Sequence, residues 1–459
     1  MKIEQIYTGC LAQGAYYIES ENEVAIIDPL REVNQYIDKA KESSSTIKYI
    51  FETHFHADFV SGHITLSKKT GGKIVYGPTA ETNFDSIKAE DGEIFKIGNI
   101  TITAIHTPGH TLESTCYLLR DENNKEIAIF TGDTLFLGDV GRPDLAQANL
   151  KLTKEQLAGK LYDSLRNKIM NLPDDIIVYP AHGAGSACGK NMMKITSDTL
   201  ANQKKMNYAL NKNLSKEEFI NAVLDGLGEP PKYFPANVKM NKEGYNDINN
   251  ILEKNRPLNA DEVEEIVNTT DTIILDVRTP DEFEKSHIPR SIFIGLDGSF
   301  APWVGELIAD VDQKIIFICD LGREEETITR LSRVGFDNTI GYLDGGITSW
   351  INSGKETDSV ASIDPEKTSK INTEKNQIID VRKKSEYDLG KVKKAINICL
   401  STINNHHDQF LSEDHKFIHC QGGYRSMIAC SILKSRGIHN ITNIRGGFKQ
   451  IKNNQNIII

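Results

Sequence analysis

A turn rich in histidine and aspartate near the start of the chain has the residue types of a metal site. His54, His56 and Asp58 follow an apolar run, Ile47 to Phe51, in the pattern H-x-H-x-D. Imidazole nitrogens and carboxylate oxygens are common ligands of zinc and iron. The next residue is Phe59, where a hydrolase of this pattern with two metal ions would have a histidine. Because a phenyl ring cannot bind a metal, the sequence favours a site with one metal ion.

Three later segments carry one histidine or aspartate just after an apolar run. His110 lies in TPGHT, Asp133 in TGDTLF and His182 in YPAHG. Each segment contains Gly or Pro, which turn the chain sharply. In α/β proteins the loops at strand ends commonly hold the binding site. We therefore expect the four segments to form one site.

The four segments in this order resemble the metallo-β-lactamase superfamily over residues 1 to about 245, which implies an αβ/βα sandwich. Within it, ETHFHADFVSG at 52–62 and GRPDL at 141–145 resemble the persulfide dioxygenases. The resemblance implies one Fe(II) per chain, held by His54, His110 and Asp133. Two imidazoles and one carboxylate leave open positions for a sulfur substrate and O2.

Other polar residues of these segments receive supporting roles. With one metal ion, we interpret His56, Asp58 and His182 as groups that orient the ligands. The resemblance suggests that Arg142 meets the anionic part of the substrate, and a surface salt bridge is the alternative. Cys188 lies in a glycine-rich segment after His182. It is either a thiol near the substrate, favoured as thiolate by the nearby Lys190, or an incidental free cysteine.

A second reactive pattern lies near the end of the chain. Cys420 follows an apolar run and begins CQGGYRS, which leads into a helical pattern at 427–434. The backbone N–H groups of such a loop and the helix N-terminus would lower the pKa of the thiol, and Arg425 adds positive charge. The loop resembles that of the rhodaneses, which carry sulfane sulfur as a cysteine persulfide; Cys420 and Arg425 would then be catalytic. Substrate binding would fall to three residues of the loop, Gly422, Gly423 and Tyr424.

The second half of the chain contains an internal repeat. The segment ILDVR around Asp276 recurs 104 residues later as IIDVR around Asp380, and Cys319 recurs 101 residues later as Cys420. The repeat predicts two rhodanese-like α/β domains with central parallel sheets, at 255–360 and 370–459. The polar segment Asp364–Asn376 is interpreted as their linker.

The first of these two domains has an altered loop. Glu324 stands where the second domain has Arg425, and two more glutamates follow it. These acids would raise the pKa of Cys319 and repel anionic sulfur donors. We therefore predict no transferase activity for this domain, which would be a spacer, a docking surface or a dimer contact.

Short β-rich runs alternate with helical patterns in a first domain of residues 1–250. The expected helices are Glu32–Glu42, Thr153–Asn171 and a segment at Ser215–Leu227. His63 and His106 are expected at the surface or at a strand end. The expected strands are Ile3–Tyr7, Ala15–Glu19, Val24–Asp28, Ile47–Glu52, Lys73–Tyr76, Ile100–His106, Cys116–Leu119, Ile127–Thr131 and Ile176–Tyr179.

Length and composition set the remaining limits. A chain of 459 residues suggests about two to four domains. A net charge of −11 argues against nucleic acid and acidic membrane surfaces as partners. No run approaches the ~18 apolar residues of a membrane span, and the N-terminus lacks a signal pattern, so a cytoplasmic location is expected. The seven scattered cysteines favour free thiols.

Together these patterns predict a fused persulfide dioxygenase and sulfurtransferase for sulfide detoxification. Its small-molecule partners would be a thiol persulfide and O2, with sulfite and thiosulfate as products. A homo-oligomer is expected from the family resemblance. One alternative is a glyoxalase II-like thioester hydrolase with two zinc ions and an appended rhodanese, against which Phe59 argues. The other is a sulfur-sensing or sulfur-binding protein without turnover.

Overall fold

The computed structural model describes residues 1–145 and 152–453, and the backbone of 457–458. Its described residues form two compact units. The first unit comprises Met1–Ile248 together with Ser332–Gly335, and the second comprises Asn249–Leu331 and the chain from Phe336 onwards. Among the described helices, none combines the length and the apolar character needed to cross a membrane.

Two six-stranded sheets form the centre of the first unit, in the orders β1-β2-β3-β4-β5-β6 and β12-β11-β10-β9-β8-β7. All nine expected strands are confirmed, with ends that differ by at most about two residues, and three short strands (β6, β7 and β12) were not expected. The strands are β1 (Lys2–Thr8), β2 (Gln13–Ser20), β3 (Glu23–Ile27), β4 (Thr46–Phe51), β5 (Lys73–Tyr76), β6 (Ile87–Lys88), β7 (Ile94–Ile97), β8 (Ile100–His106), β9 (Thr115–Arg120), β10 (Glu126–Gly132), β11 (Ile177–Pro180) and β12 (Asp198–Thr199).

The two sheets share one apolar core, in which Phe51 and Val75 of the first sheet pack with Tyr117 and Phe130 of the second. Two further apolar clusters join each sheet to helices on its outer face. This is the expected αβ/βα sandwich, because each sheet buries one face against its partner and the other under helices. The helices are α1 (Asn34–Glu42), α2 (His63–Thr70), α3 (Lys154–Ser164), α4 (Leu200–Met206), α5 (Lys216–Leu224) and α6 (Phe234–Glu243).

The helix predicted at Thr153–Asn171 shows how local signals set its bounds. Thr153 caps α3: its side chain accepts from Gln156 N–H, and the Gln156 side chain bonds back to Thr153. Such a capping box satisfies two N–H groups that the helix leaves free. The helix continues as a π-helical turn, Leu165–Ile169, and ends before Pro173.

The second unit contains two parallel five-stranded sheets, in the orders β13-β17-β16-β14-β15 and β18-β23-β22-β19-β21. The identical topology confirms the repeat and the parallel sheets. Their strands are β13 (Pro257–Leu258), β14 (Ile273–Asp276), β15 (Ile292–Phe293), β16 (Ile315–Ile318), β17 (Thr339–Leu343), β18 (Ser362–Ile363), β19 (Asn376–Asp380), β20 (Lys391–Val392), β21 (Ile396–Asn397), β22 (His415–His419), β23 (Ile441–Ile444) and β24 (Ile457–Ile458), of which β20 and β24 pair separately.

Helices fill the connections between these strands. They are α7 (Ile248–Lys254), α8 (Ala260–Thr269), α9 (Pro280–Lys285), α10 (Phe300–Leu307), α11 (Glu324–Ser332), α12 (Gly346–Asn352), α13 (Lys384–Asp388), α14 (Tyr424–Ser435) and α15 (Gly447–Ile451). The interpretation of 364–376 as a linker needs correction. A 3₁₀ helix at Pro365–Lys370 follows β18, which pairs with β23, so most of this segment is part of the second parallel domain.

Candidate functional sites

Each residue of the predicted metal site lies just after a strand of the first unit or in the turn that follows one. His54 follows β4 and Asp133 directly follows β10, while His110 and His182 lie in the turns after β8 and β11. Gly132 ends β10 with a φ of 52°, and a Cβ there would lie 2.6 Å from the Cβ of Thr53. Glycine is therefore needed for β10 to approach the turn after β4, which brings the two metal-site segments together.

Three side-chain atoms converge at the centre of these turns. Asp133 Oδ2 lies 3.8 Å from His54 Nε2 and 3.5 Å from His110 Nε2. All three residues are at most 2% exposed. Asp133 Oδ2 has no hydrogen-bond partner among the described residues. An unpaired buried carboxylate oxygen is costly, so the three residues form a group that could hold a metal ion.

Hydrogen bonds on the far side of each imidazole fix where its proton lies. His110 Nδ1 is 2.8 Å from the carbonyl oxygen of Arg142, and only an N–H can donate to it. Thr53 Oγ donates its proton to Asp28 Oδ2 at 2.9 Å, so it accepts from His54 Nδ1 at 3.0 Å. With the proton on Nδ1, the neutral form of each ring has its lone pair on Nε2, the nitrogen nearer Asp133 Oδ2.

The electrostatics agree with this assignment. Burial, with His56 nearby, lowers the pKa of His54 well below its usual value, which keeps the ring neutral. Burial alone would raise the pKa of Asp133, but the neighbouring His182 holds it below its usual range. Two imidazoles and one carboxylate fit a divalent metal ion, and this donor set with open positions is typical of non-haem Fe(II) oxygenases.

His182 lies next to this set and contacts two carboxylates. Its Nδ1 is 2.7 Å from Asp133 Oδ1 and its Nε2 is 2.8 Å from Asp58 Oδ2. Burial alone would lower the pKa of His182, but Asp133 and Asp58 raise it well above the usual value. The His182 ring therefore holds Asp133 Oδ1, while Asp133 Oδ2 could bind a metal ion. The arrangement is the one expected of a group that orients a ligand.

His56 contacts two other carboxylates. Its Nε2 lies 3.1 Å from Asp28 Oδ1 and 3.6 Å from Glu52 Oε2. The ring of Phe59, which is fully buried, lies 4.4 Å from the His56 ring. His56, Asp58 and His182 nevertheless form a second group of potential ligand atoms within 4.8 Å of one another. Phe59 thus occupies an apolar position beside this second group.

The sequence did not single out Asp28 and Glu52, two buried carboxylates that contact residues around the metal-site turn. Asp28 accepts from both the N–H and the hydroxyl of Thr53, with its backbone at a φ of 49°. Glu52 accepts from the Ser61 hydroxyl, and burial together with Asp28 raises the pKa of Glu52 well above its usual value. Their only signal in the sequence was an acidic residue directly after an apolar strand.

The expected surface position of His63 is wrong. The residue is fully buried, with Nδ1 3.6 Å from Glu52 Oε1, and burial lowers its pKa to about 3. Two imidazoles therefore flank the same carboxyl group, because His56 lies on its other side. His106 lies at the end of β8, as expected.

Arg142 forms the salt bridge that was the alternative, with Asp144, but it is buried and not at the surface. Its guanidinium donates to both carboxylate oxygens of Asp144 at 2.7 Å and to the carbonyl oxygen of Gly228. Its backbone also serves the site, because its carbonyl accepts from His110 and its N–H donates to the carbonyl oxygen of Cys188. The contact of its guanidinium with a substrate stays a prediction.

Cys188 is buried beside the metal set, and its sulfur can join a group with Asp133 and His182. The expected help from Lys190 is wrong, because its ammonium group donates to three carbonyls at the end of α5. Burial, together with Asp58 and Asp133, raises the pKa of the Cys188 thiol well above its usual value. A role in chemistry for this thiol stays a prediction.

Asp139 holds the segment that contains Cys188. Its carboxylate accepts from the N–H groups of Lys190 and Asn191, each at 2.7 Å, and from the Tyr208 hydroxyl at 3.0 Å. A buried carboxylate with several N–H donors fixes a loop firmly. Its sequence signal was weak, since one Asp in a loop is common.

The Cys420 loop in the second unit has part of the expected cradle, with one backbone N–H bonded to the sulfur. Cys420 follows β22, and its sulfur accepts from the Gly423 N–H at 3.1 Å. Gly423, at a φ of 106°, is the N-cap of α14. A Cβ on Gly447 would lie 2.4 Å from the carbonyl oxygen of Cys420, so the glycine there lets a neighbouring turn close over the loop. Gly422 is exposed, and a Cβ at this position would meet no atom of the described residues within 4 Å.

The two side chains after the glycines have partners of their own. Arg425 donates to both carboxylate oxygens of Glu386, at 2.7 and 2.8 Å. Tyr424 was expected to bind substrate, but its hydroxyl donates to the carbonyl oxygen of Gly295, which belongs to the other parallel domain. The side chain of Tyr424 is thus committed to a structural contact. The catalytic role of Arg425 stays a prediction.

Comparisons with known proteins agree with this geometry. Residues 8–182 match the metallo-beta-lactamase superfamily, and residues 259–353 and 365–454 each match the rhodanese-like domain. Over 210 residues the chain is 30% identical to the persulfide dioxygenase ETHE1 of Bos taurus, which covers 45% of this chain and 73% of that protein. The chain belongs to the metallo-beta-lactamase superfamily. Two rhodanese-like domains follow its metallo-beta-lactamase domain.

The chain is also similar to hydrolases of this superfamily. The hydroxyacylglutathione hydrolase of Dictyostelium discoideum is 35% identical over 189 residues, or 40% of this chain and 66% of that protein. The chain spans about three fifths of the length of two further hydrolases of this name. The crystal structure of a metallo-beta-lactamase from Staphylococcus aureus is 31% identical, with a TM-score of 0.66, and covers 74% of this chain and 98% of that one.

The first rhodanese-like domain carries the altered loop that its sequence predicted. Burial, Glu324 and Asp320 raise the pKa of Cys319 to about 12. Arg323 is held by Asp297 and Glu326. The Asp-x-Arg pair of the repeat is kept in both domains, since Arg278 and Arg382 each donate to the aspartate two residues earlier. The frame of the domain is therefore kept, while burial and the nearby acids disfavour the thiolate of Cys319. The absence of transferase activity in this domain stays a prediction.

Proposed function

We propose that the protein is an Fe(II)-dependent persulfide dioxygenase that passes sulfur to a sulfurtransferase at Cys420. The observation that carries the first half is the convergence of His54, His110 and Asp133, with the ring of Phe59 in the neighbouring position. The sulfurtransferase part of the proposal is supported by the Cys420 thiol, which accepts from the Gly423 N–H in a loop of the rhodanese type.

Iron at this triad would supply open positions for a sulfur ligand and O2. The residues of the chain do the rest. Thr53 and the Arg142 carbonyl fix the proton on the outer nitrogen of each imidazole, and His182 holds Asp133 Oδ1. Phe59, which is fully buried, adds an apolar ring beside His56. The overall reaction would convert RSSH, O2 and H2O into RSH, sulfite and two protons.

The second half uses the Cys420 thiolate. It would attack the outer sulfur of a second thiol persulfide, which releases the thiol RSH and leaves a persulfide on Cys420. This persulfide would transfer its outer sulfur to sulfite, which yields thiosulfate and restores the thiolate. The Gly423 N–H stabilises negative charge on the inner sulfur as the S–S bond breaks. The guanidinium of Arg425, held by Glu386, supplies positive charge near the incoming anion.

Substitution of Cys420 by Ser tests this division of labour. We expect the Fe(II)-loaded variant to consume O2 at the wild-type rate with persulfides of glutathione, coenzyme A, bacillithiol or cysteine. Its product should change from thiosulfate towards sulfite, because only the transfer step needs Cys420. Loss of O2 uptake in this variant would contradict the proposal that oxidation and sulfur transfer take place at two separate sites. His110→Ala is the matched control, and it should abolish O2 uptake while the transfer of sulfur from thiosulfate continues.

A thioester hydrolase with two zinc ions is a second candidate. His56, Asp58 and His182 lie within 4.8 Å of one another, and the chain resembles hydroxyacylglutathione hydrolases. Metal analysis and a thioester assay on the same preparation separate the two functions. One iron per chain with slow hydrolysis supports the dioxygenase. Two zinc ions with fast hydrolysis would refute it.

A further inference from the structure

We propose that the first rhodanese-like domain positions the catalytic loop of the second, with Tyr424 as the positioning residue. This inference rests on the proposed sulfur transfer at Cys420. It gives the domain with the altered loop around Cys319 a definite role. The domain would act on the neighbouring loop through contacts, without transferring sulfur itself.

The contacts lie along one face of α14, the helix that follows the Cys420 loop. Tyr424 is its first residue, and its hydroxyl donates to the Gly295 carbonyl oxygen at 2.7 Å. Its ring lies edge-on to Phe293 of β15, at 5.9 Å between centroids. Two turns later, the buried Ser431 hydroxyl accepts from the Phe293 N–H at 2.9 Å. Residues seven apart lie on the same side of a helix, so these contacts fix both the rotation and the position of α14.

Gly298 provides the space for the tyrosine ring. A Cβ at Gly298 would lie 2.3 Å from Tyr424 Cζ and 2.5 Å from Cε2. No real Cβ approaches an aromatic carbon so closely, so the ring rests on the bare backbone of the first domain. Any larger residue at Gly298 would push the ring out and move the start of α14.

The start of α14 matters because the sulfur is bonded there. Gly423 immediately precedes Tyr424 and donates its N–H to Cys420 Sγ at 3.1 Å. Arg425 immediately follows Tyr424 and pairs with Glu386. The ring of Tyr424 therefore anchors the peptide that carries both the N–H donor and the cation of the loop. A displacement of about 1 Å at such a site is enough to reduce turnover strongly.

Transfer of sulfur from thiosulfate to cyanide by the full-length protein tests the proposal. Tyr424→Phe removes one hydrogen bond, and we expect kcat to fall about five-fold with little change in KM. Gly298→Ala displaces the whole ring, and we expect a fall of at least about ten-fold. Tyr162→Phe is the matched control, because it also removes a hydroxyl bonded to a backbone carbonyl, that of Leu214 in the first unit. It should transfer sulfur at the wild-type rate.

A double-mutant cycle shows whether Gly298 acts through the ring. Gly298→Ala should add no loss in a Tyr424→Ala background, because no ring is left to displace. Additive losses would overturn the proposal, as would wild-type rates in both Tyr424→Phe and Gly298→Ala. If Gly298→Ala does not fold, the kcat values of Tyr424→Phe and Tyr424→Ala still test the proposal, and wild-type values in both would overturn it.

The rate of Cys420 alkylation by iodoacetamide, followed against pH by mass spectrometry, needs no turnover. The profile should shift to higher pH in Tyr424→Phe and further in Gly298→Ala, because a misplaced Gly423 N–H stabilises the thiolate less. An unshifted profile would overturn the positioning role. If the wild type does not transfer sulfur while the shift is seen, the proposed transfer fails and the positioning of the loop stands.

Discussion

Replacement of Thr53 by Val removes the hydroxyl that fixes proton positions at the proposed metal centre. Thr53 Oγ donates to Asp28 Oδ2 at 2.9 Å and accepts from His54 Nδ1 at 3.0 Å. Valine has the same shape and keeps the packing against Gly132. The variant therefore loses two buried hydrogen bonds and leaves the Asp28 oxygen without this donor.

The magnitude follows from these two bonds. Each buried hydrogen bond contributes about 1 kcal/mol, and an unsatisfied buried acceptor costs about 1–3 kcal/mol. We expect the free energy of unfolding of the metal-free protein to fall by about 2–4 kcal/mol. His54 can then take the other tautomer, with its proton on Nε2, so metal affinity should fall by about 10–100-fold.

Two measurements on the purified variants check this reasoning. Urea unfolding followed by circular dichroism gives the stability of the first unit, and competition with a chelator gives the Fe(II) affinity. Thr53→Ser is the matched control, because it keeps the hydroxyl and loses only a methyl group. It should bind Fe(II) as tightly as the wild type. Wild-type affinity in Thr53→Val, or an equal loss in Thr53→Ser, would refute the role assigned to the hydroxyl.

Three further predictions concern the neighbouring residues. Phe59→His should raise the bound metal from one ion to two ions per chain in zinc-loaded protein, and an unchanged count by mass spectrometry would contradict the blocking role of the ring. Iodoacetamide should alkylate Cys319 slowly at pH 8, and the rate of alkylation should rise about ten-fold per pH unit up to pH 11. The reason is that the pKa of Cys319 is raised to about 12 and only the thiolate reacts. Fast alkylation at pH 8 would contradict this. Asp139→Ala should speed the alkylation of the buried Cys188 at least about ten-fold, because the loop loses two N–H bonds of 2.7 Å; Asp163→Ala, at an exposed site on α3, should leave the rate unchanged.

The sequence was most informative where a side chain follows a strand. His54, His110 and Asp133 were predicted to meet, and they do, because strands of packed sheets end at common edges. The parallel sheets of the second half were predictable for a similar reason, since a repeat of strand, loop and helix allows one simple topology. In both cases the positions depend on backbone geometry that a short pattern specifies.

Side-chain partners distant in sequence were not predictable. Asp28 supports Thr53 across 25 residues, and no short pattern marks that pair. Lys190 looked like a partner for Cys188 two residues away, yet it binds the end of α5 instead. A long flexible side chain takes whichever acceptor the fold brings near, so its proximity in sequence carries little information.

The sequence alone determined the ligand types, the absence of a histidine at Phe59, and the contrast between Arg425 and Glu324, because each is a property of residue identity at one position. Only the tertiary structure decided which nitrogen of each imidazole keeps its lone pair, and that the Tyr424 side chain reaches Gly295 of the other domain. The physical reason is the same in both cases. A hydrogen bond forms between atoms that the fold brings within about 3 Å, whatever their separation along the chain.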